Sequence, residues 1–255
     1  MASSVWYWVD DERLCVSASL RFNLAEAPPE VWVTTTDATA ITARQTEAGT
    51  LPTSAVAIRA DLQLIADMIK PGSRVLDVGC GDGVLLDHLV HLKQVDGRGV
   101  ELSQAGVNAC VAQGLSVVQG NADTDLKDYP SDAFDYIVLS QTLQATRKPH
   151  HVLKQLVRVG RRAIVSFPNF GHLRVRWHLL AHGQMPVTHS LPARWYDTPN
   201  IHLCTIRDFM QLCRELGIVN EQSLAISRSG RPSPIKSLAY ANIFGEQGLF
   251  LLRRK

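Results

Sequence analysis

A short apolar strand that runs directly into a glycine-rich turn constrains this 255-residue chain more than any other feature. Residues 74–78 read RVLDV, and residues 79–83 read GCGDG. Glycine tolerates a left-handed backbone and lets a ligand approach the main chain. The helical pattern that follows would direct its positive dipole end toward the same place. These residues therefore predict a strand, turn and helix with a ligand site at the carboxyl edge of a sheet.

Strands and helices alternate along most of the chain. After the first strand, the apolar pattern predicts strands at residues 97–101, 115–119, 134–140, 162–167 and 248–252. Helices are predicted after the first strand, after the second strand, where Ser103 could cap the helix and Gly114 could end it, and after Pro149. Further helices are predicted at residues 61–69, 173–182 and 206–216. Thr205 is the predicted N-cap of the last helix, with Asp208 as its capping-box partner. Alternation at this spacing indicates a doubly wound, mostly parallel sheet.

The first 57 residues differ from the rest of the chain. They contain Pro28-Pro29, many threonines and no sustained helical or strand period. Two interpretations remain open: a mostly disordered extension, or a non-native segment created by a start site placed too far upstream. The domain itself is predicted to span residues 58–255.

Composition and charge indicate the compartment and exclude some classes of partner. A formal net charge of +2 gives no general case for binding nucleic acid or an acidic membrane. The chain has no run of 18 apolar residues, which argues against a transmembrane helix. Five cysteines without a C-x-x-C pair suit a reducing compartment. The acidic amino terminus does not resemble a secretory signal. A cytoplasmic protein without nucleic-acid or membrane partners is expected.

The charges around the turn favour one class of ligand. A dinucleotide fingerprint would need glycine at position 84, where Val84 stands. Asp77 and Asp82 would repel a pyrophosphate, whereas Asp77 could attract the ammonium group of S-adenosylmethionine. Glu101, at the end of the second predicted strand, could accept hydrogen bonds from both ribose hydroxyls. S-adenosylmethionine is therefore expected rather than NAD.

Further cofactor contacts are expected where the predicted strands end. Asn121 follows the third strand, where it could contact the adenine or equally serve as a turn residue, and both readings stay open. The complete set of predicted cofactor-binding residues is Asp77, Gly79, Cys80, Gly81, Gly83, Glu101, Leu102, Asn121, Ala122, Ser140 and Gln141.

Three downstream blocks carry a narrower resemblance. They read SQTLQ (residues 140–144), VGRRAIVSFPNFGH (159–172) and WYDTPNIHLC (195–204), and the preceding FDYIVLS is common among class I methyltransferases. Over residues 58–254 the chain resembles the MetW family of bacterial methionine-biosynthesis proteins. Residues 1–57 have no counterpart there, and Asn121 stands where members often carry Asp.

The resemblance implies a fold and a role. The fold would be Rossmann-like, of the class I methyltransferase type, with a doubly wound, mostly parallel seven-stranded sheet and an antiparallel last strand. The role would be that of an accessory or regulatory partner of homoserine O-acyltransferase. The chain is not expected to be that acyltransferase, because it has no G-x-S-x-G motif.

A catalytic methyltransferase is the alternative function. Methyl transfer is an in-line displacement in which positioning matters most, and some acceptors also need a base. His172, Tyr196 and Asp197 are the predicted candidates, although His172 could instead fix the preceding turn and the other two could form a lid or a partner surface. The fourth strand is not followed by an N-P-P-Y motif, which argues against methylation of nucleic acid bases. No metal site is predicted.

Overall fold

Helices and strands alternate through the first half of the domain in the computed structural model, which describes residues 58–188 and 190–255. The predicted extension at residues 1–57 lies outside the described residues. The elements, in chain order, are α1 (Ala60–Met68), β1 (Arg74–Val78), α2 (Val84–Lys93), β2 (Asp96–Glu101), α3 (Gln104–Ala112), β3 (Val117–Gln119), β4 (Phe134–Ser140), α4 (Pro149–Val159), β5 (Gly160–Pro168), α5 (Leu173–His182), α6 (Ile206–Glu215), β6 (Val219–Ile226), β7 (Pro232–Pro234), α7 (Leu238–Phe244) and β8 (Gln247–Arg253). Short 3₁₀ turns occupy Asp125–Asp128 and Leu143–Ala145.

One sheet contains all eight strands of the described residues, in the order β3-β2-β1-β4-β5-β8-β6-β7. The first five strands pair in parallel, and β8 runs antiparallel to both β5 and β6. The doubly wound, mostly parallel sheet and its antiparallel last strand are therefore confirmed. The strand order reverses between β1 and β4, and ligands bind at such a switch point in open α/β sheets.

The sheet has eight strands, one more than the expected seven. The extra strand is β7, which pairs with the edge of β6 through Pro232 and Pro234. Proline cannot donate a backbone hydrogen bond, so it suits an edge strand. The sequence pattern also failed to locate β6 and α7. In β6 only the last three residues are buried, which leaves no apolar alternation to read.

The sheet divides the core into two layers. Leu76 and Val78 of β1 pack with residues of α4 and α6, whereas Val75, one position before Leu76, packs with residues of α1 and α2. Successive residues of a strand face opposite sides of the sheet, so β1 is buried on both faces. This burial holds the carboxyl end of β1 rigidly, and the glycine-rich turn begins there.

Two predicted helix starts are confirmed. The Ser103 hydroxyl accepts a hydrogen bond from the Gly106 amide at 3.0 Å and caps α3. At α6, the Thr205 hydroxyl accepts from the Asp208 amide at 3.2 Å, and the Asp208 carboxylate accepts from the Thr205 amide at 3.0 Å. This reciprocal pair is the capping box that the sequence predicts.

Candidate functional site

The glycine-rich turn between β1 and α2 needs glycine for two different reasons. Gly79 has a φ of +73°, and a β-carbon there would lie 2.6 Å from the Thr142 hydroxyl oxygen. Gly81 has a φ of +59°, but a β-carbon there would meet no atom within 4 Å. The first glycine therefore permits close packing against the end of β4. The second leaves its backbone bordering open space, as a ligand-binding turn requires.

Gly83 has a packing role. A β-carbon on it would lie 2.7 Å from a Leu115 methyl group and 2.9 Å from the Cys110 sulfur. These neighbours belong to a small apolar cluster that also contains Cys80. Gly83 thus lets α2 start close to α3, which keeps the turn seated on the sheet.

Glu101 ties this turn to the end of β2. One oxygen of its carboxylate accepts a hydrogen bond from the Gly81 amide, and the other accepts from the Ser103 amide, each at 2.9 Å. A carboxylate offers about four lone-pair sites. The Glu101 side chain therefore fixes the turn and still keeps acceptor capacity for a ligand with two hydroxyls.

Asp77 is a buried acid at the carboxyl end of β1. Asp77 is 2% exposed, and no described residue donates a hydrogen bond to its carboxylate. Burial and, to a smaller extent, the nearby charge of Glu101 together raise the pKa of Asp77 from 3.8 to about 7. The site therefore contains negative charge without a counter-ion, and a cationic ligand group would stabilise the ionised form.

A cavity of about 400 Å³ opens above the turn. Six predicted residues line it: Asp77, Gly79, Cys80, Gly81, Ser140 and Gln141. Six further residues, which were not predicted as contacts from the sequence, also line the cavity: Arg59, Leu62, Asp82, Val84, Leu85 and Thr142. The other five predicted contacts do not line this cavity. Gly83 packs against α3 as described above, and the remaining four are Glu101, Leu102, Asn121 and Ala122.

The end of β4 forms the opposite wall of this first cavity. Gln141 has a φ of +58°, which is uncommon for a residue other than glycine. Its amide donates to the Ser166 carbonyl at 2.9 Å, and its side-chain amide donates to the Gln247 side-chain oxygen at 3.2 Å. Ser140 lies beside it with its hydroxyl 3.1 Å from that of Ser166. Backbone strain held by such contacts is typical of ligand sites.

The residues after β2 and β3 lie at the same sheet edge. Leu102 is 64% exposed. The Asn121 side-chain oxygen accepts from the Asp123 amide at 2.9 Å. Asp123 in turn accepts from the Arg147 and Lys148 amides, each at 2.9 Å. The Asn121 side chain thus stabilises the turn after β3, while an adenine contact by Asn121, Ala122 or Leu102 stays a prediction.

A second cavity, of about 610 Å³, adjoins the first and shares Arg59 and Gln141 with it. Its other walls come from residues 190–193 and 198–200, from the turn after β6, and from Glu246 and Gln247 where β8 begins. The structure therefore places a larger chamber next to the glycine-rich turn.

The three predicted catalytic residues line neither cavity. The His172 Nδ1 accepts from the Arg174 amide at 3.2 Å and caps α5, which matches the turn-fixing alternative. Burial lowers the pKa of His172, so its neutral form is favoured, although the charge of Glu246 opposes the shift. Tyr196 accepts a hydrogen bond from Arg194 at 2.7 Å. Tyr196 and Asp197 are both exposed. A base role for these residues stays a prediction.

Arg59, Thr142 and Glu246 are the candidate residues that sequence reasoning missed. Arg59 immediately precedes α1, and Thr142 lies two residues beyond β4. Their positions next to element ends are the only signal that could have found them. Glu246 precedes a strand, where no motif marks it.

Two other properties of the described part of the chain bear on the kind of site. Within residues 58–188 and 190–255, no group of three His, Cys, Asp or Glu side chains is arranged to hold a metal ion. No helix in the same residues is long and apolar enough to cross a membrane.

The strand order, the glycine-rich turn after β1 and the acid at the end of β2 define a Rossmann-like fold of the class I methyltransferases. The chain belongs to the MetW family, because residues 59–252 match the family described as "Methionine biosynthesis protein MetW". The expected family and fold are thereby confirmed, and the chain is assigned to methionine biosynthesis.

Individual relatives agree with this assignment. The chain is 33% identical over 190 residues to the bifunctional methionine biosynthesis protein MetXA/MetW of Rhodopirellula baltica. The match covers 71% of this chain and 30% of that protein, so the chain spans less than a third of its relative.

Two solved structures show the same fold at low identity. One is a possible histamine N-methyltransferase of the SAM-dependent class from Thermotoga maritima, with a TM-score of 0.57 and 16% identity over 77% of this chain and 88% of that one. The other is an S-adenosylmethionine-dependent methyltransferase from Mesorhizobium loti, with a TM-score of 0.56 and 17% identity over 76% of this chain and 98% of that one.

Proposed function

We propose that the first cavity binds S-adenosylmethionine. The observation that carries this proposal is Asp77, a fully buried acid without a hydrogen-bond partner among the described residues. An ammonium group would supply the missing counter-charge. Arg59 in the same lining already donates to Asp61 at 3.0 Å and could pair with the ligand carboxylate through its remaining N–H groups. Open space over Gly81 leaves room for the ligand beside the backbone. Glu101 would accept hydrogen bonds from the ribose.

Calorimetry on one substitution tests this binding mode. Glu101→Ala removes the predicted ribose acceptor and the anchor of the Gly81 amide. Affinity for S-adenosylmethionine should fall by about 1.5–3 kcal/mol, the usual cost of losing hydrogen bonds to a charged group. Glu215→Ala, on the exposed side of α6, is the matched control and should bind like the wild type. Equal affinity of the Glu101→Ala protein would reject this placement of the ribose.

We further propose that the chain acts as an accessory, regulatory partner of homoserine O-acyltransferase. Membership of the MetW family supports this role. The relative from Rhodopirellula baltica also supports it, since its name joins MetXA and MetW in one bifunctional protein. Regulation by bound S-adenosylmethionine would require that the ligand has different affinities for two states of the complex.

Reconstitution with the acyltransferase tests this role. The two proteins should copurify, and S-adenosylmethionine should change the acylation rate. The Glu101→Ala protein should still associate with the enzyme but should need a higher ligand concentration for the same change. Absence of both association and a rate change would refute the regulatory role.

A methyltransferase acting on a small molecule or a protein is the second candidate. The second cavity favours it, because it offers a chamber beside the first in which a methyl acceptor could lie. In that case His172, Tyr196 or Asp197 would have to move toward the acceptor. Transfer of a labelled methyl group to any component of a cell extract would support this candidate, and transfer that persists in Glu101→Ala at low cofactor concentration would argue against it.

A further inference from the structure

Four charged residues line the second cavity. Arg59 and Asp61 form an ion pair with each other at 3.0 Å, whereas Glu246 and Arg228 have no ion-pair partner among the described residues. Glu246 is 8% exposed, and within residues 58–188 and 190–255 no group donates a hydrogen bond or an ion pair to its carboxylate. Arg228 lines the same cavity, is exposed and has no ion-pair partner in that part of the chain. A cationic ligand group that enters the cavity could therefore pair with the Glu246 carboxylate.

Glu246 and Arg228 lie next to the ends of two neighbouring strands, Glu246 just before β8 and Arg228 just after β6. The Glu246 amide donates to the Ile226 carbonyl at 2.9 Å, which places the start of β8 beside the end of β6. Arg228 lies two residues beyond Ile226, in the turn that follows β6. A carboxylate and a guanidinium therefore border one chamber without pairing with each other.

We propose that this second cavity binds a free α-amino acid, with its ammonium group at Glu246 and its carboxylate at Arg228. A zwitterion satisfies both charges, whereas a simple amine or a simple acid leaves one of them unpaired. A volume of about 610 Å³ accommodates the side chain of such a ligand together with water. Asn200 and Ser190 in the lining offer polar contacts to a side-chain hydroxyl.

The two cavities share side chains, so their ligands should influence each other. Arg59 and Gln141 line both cavities, and Gln141 donates a hydrogen bond to Gln247 of the second one. Any such coupling must be reciprocal in binding free energy. The coupling rests on the proposed S-adenosylmethionine site, whereas the amino-acid site itself stands on Glu246 and Arg228.

Calorimetry with matched probes tests the amino-acid site. L-homoserine, L-methionine and L-serine are titrated into the full chain, first without a cofactor and then with saturating S-adenosylhomocysteine. Two truncated probes follow: 3-aminopropan-1-ol, which lacks the carboxylate of homoserine, and 4-hydroxybutanoate, which lacks its ammonium group. At least one amino acid should bind in both conditions, and the truncated probes should bind roughly ten- to a hundredfold more weakly than homoserine.

Substitutions locate the site. Glu246→Gln and Arg228→Gln should each weaken amino-acid binding by roughly tenfold or more. Both should keep the affinity for S-adenosylhomocysteine, which shows that they are folded. Arg231→Gln changes an arginine of the same turn that does not line the cavity, and it should bind normally.

Three results would overturn this inference: no binding of any of the three amino acids, binding that disappears when S-adenosylhomocysteine is bound, or unchanged affinity in both variants. If the protein binds an amino acid but does not bind S-adenosylhomocysteine, the proposed cofactor site is refuted and the amino-acid site stands.

Discussion

Replacing Asp77 by asparagine should change how the stability of the protein depends on pH. The pKa of Asp77 rises from 3.8 to about 7 on folding, first because of burial and then because of Glu101. Between these pH values the folded state keeps a proton that the unfolded chain has released. The folded state must therefore lose stability as the pH rises toward 7. The Asp77→Asn protein has no such proton and should escape this loss.

The size of the effect follows from the pKa values. One pKa unit corresponds to about 1.4 kcal/mol. The change from 3.8 to about 7 therefore corresponds to roughly 4 kcal/mol. About 3 kcal/mol of this free energy of unfolding is lost between pH 5 and pH 8. Relative to the wild type without ligand, the Asp77→Asn protein should thus gain about that much stability over this range.

Guanidinium chloride unfolding at pH 5, 6, 7 and 8, followed by circular dichroism, measures this difference. Asp125→Asn is a control whose stability should run parallel to that of the wild type between pH 5 and pH 8, because the pKa of Asp125 lies below 3.8 in the folded state. Hydrogen bonds from the Thr124 hydroxyl and the Asn121 amide lower the pKa of Asp125, so its contribution to stability is lost as the pH falls. Parallel stability curves for the wild type and Asp77→Asn would refute the assignment of a buried, protonated acid.

The same substitution separates stability from ligand binding. Only ionised Asp77 attracts an ammonium group, so the affinity of the wild type for S-adenosylmethionine should rise between pH 6 and pH 8. The rise should be up to roughly tenfold, because the ionised fraction increases by about that factor around a pKa near 7. The Asp77→Asn protein should bind weakly, with little change over this range. A flat profile in the wild type would place the ammonium group elsewhere.

Three further predictions concern the turn, a helix cap and the amino-terminal segment. Gly79→Ala should lower the free energy of unfolding by about 1–3 kcal/mol, because the new methyl group would strike Thr142 at a φ of +73°. Gly72→Ala, with a φ of +70° and open space, isolates the strain and should cost less in the same denaturation assay. Thr205→Ala removes the hydroxyl that caps α6 and should cost about 1 kcal/mol in chemical denaturation, whereas no change would show that the cap is redundant. Deletion of residues 1–55 should leave the melting temperature and cofactor affinity nearly unchanged, since the family match begins at residue 59, and a large drop in either would contradict this expectation.

Local patterns predicted the central parallel strands β1, β4 and β5 because these strands are strongly apolar. β4 and β5 are buried along most of their length, so their limits could be read from the sequence. The capping box of α6 was equally visible, because a cap joins residues only three positions apart. β6 was not visible, since it is stabilised by its partner β8 rather than by its own apolar pattern.

By itself, the sequence determined the family, the glycine-rich turn and the acid at Glu101, because these depend on residue type and short spacing. Tertiary structure alone decided which side chains share a cavity. Arg59 and Gln141 are far apart in the chain yet line the same two chambers. Glu246 lies beside the second cavity because β8, which follows it, lies between β5 and β6 in the sheet. Burial, which sets the pKa of Asp77, is likewise a property of the packed sheet and not of the residues around it in the chain.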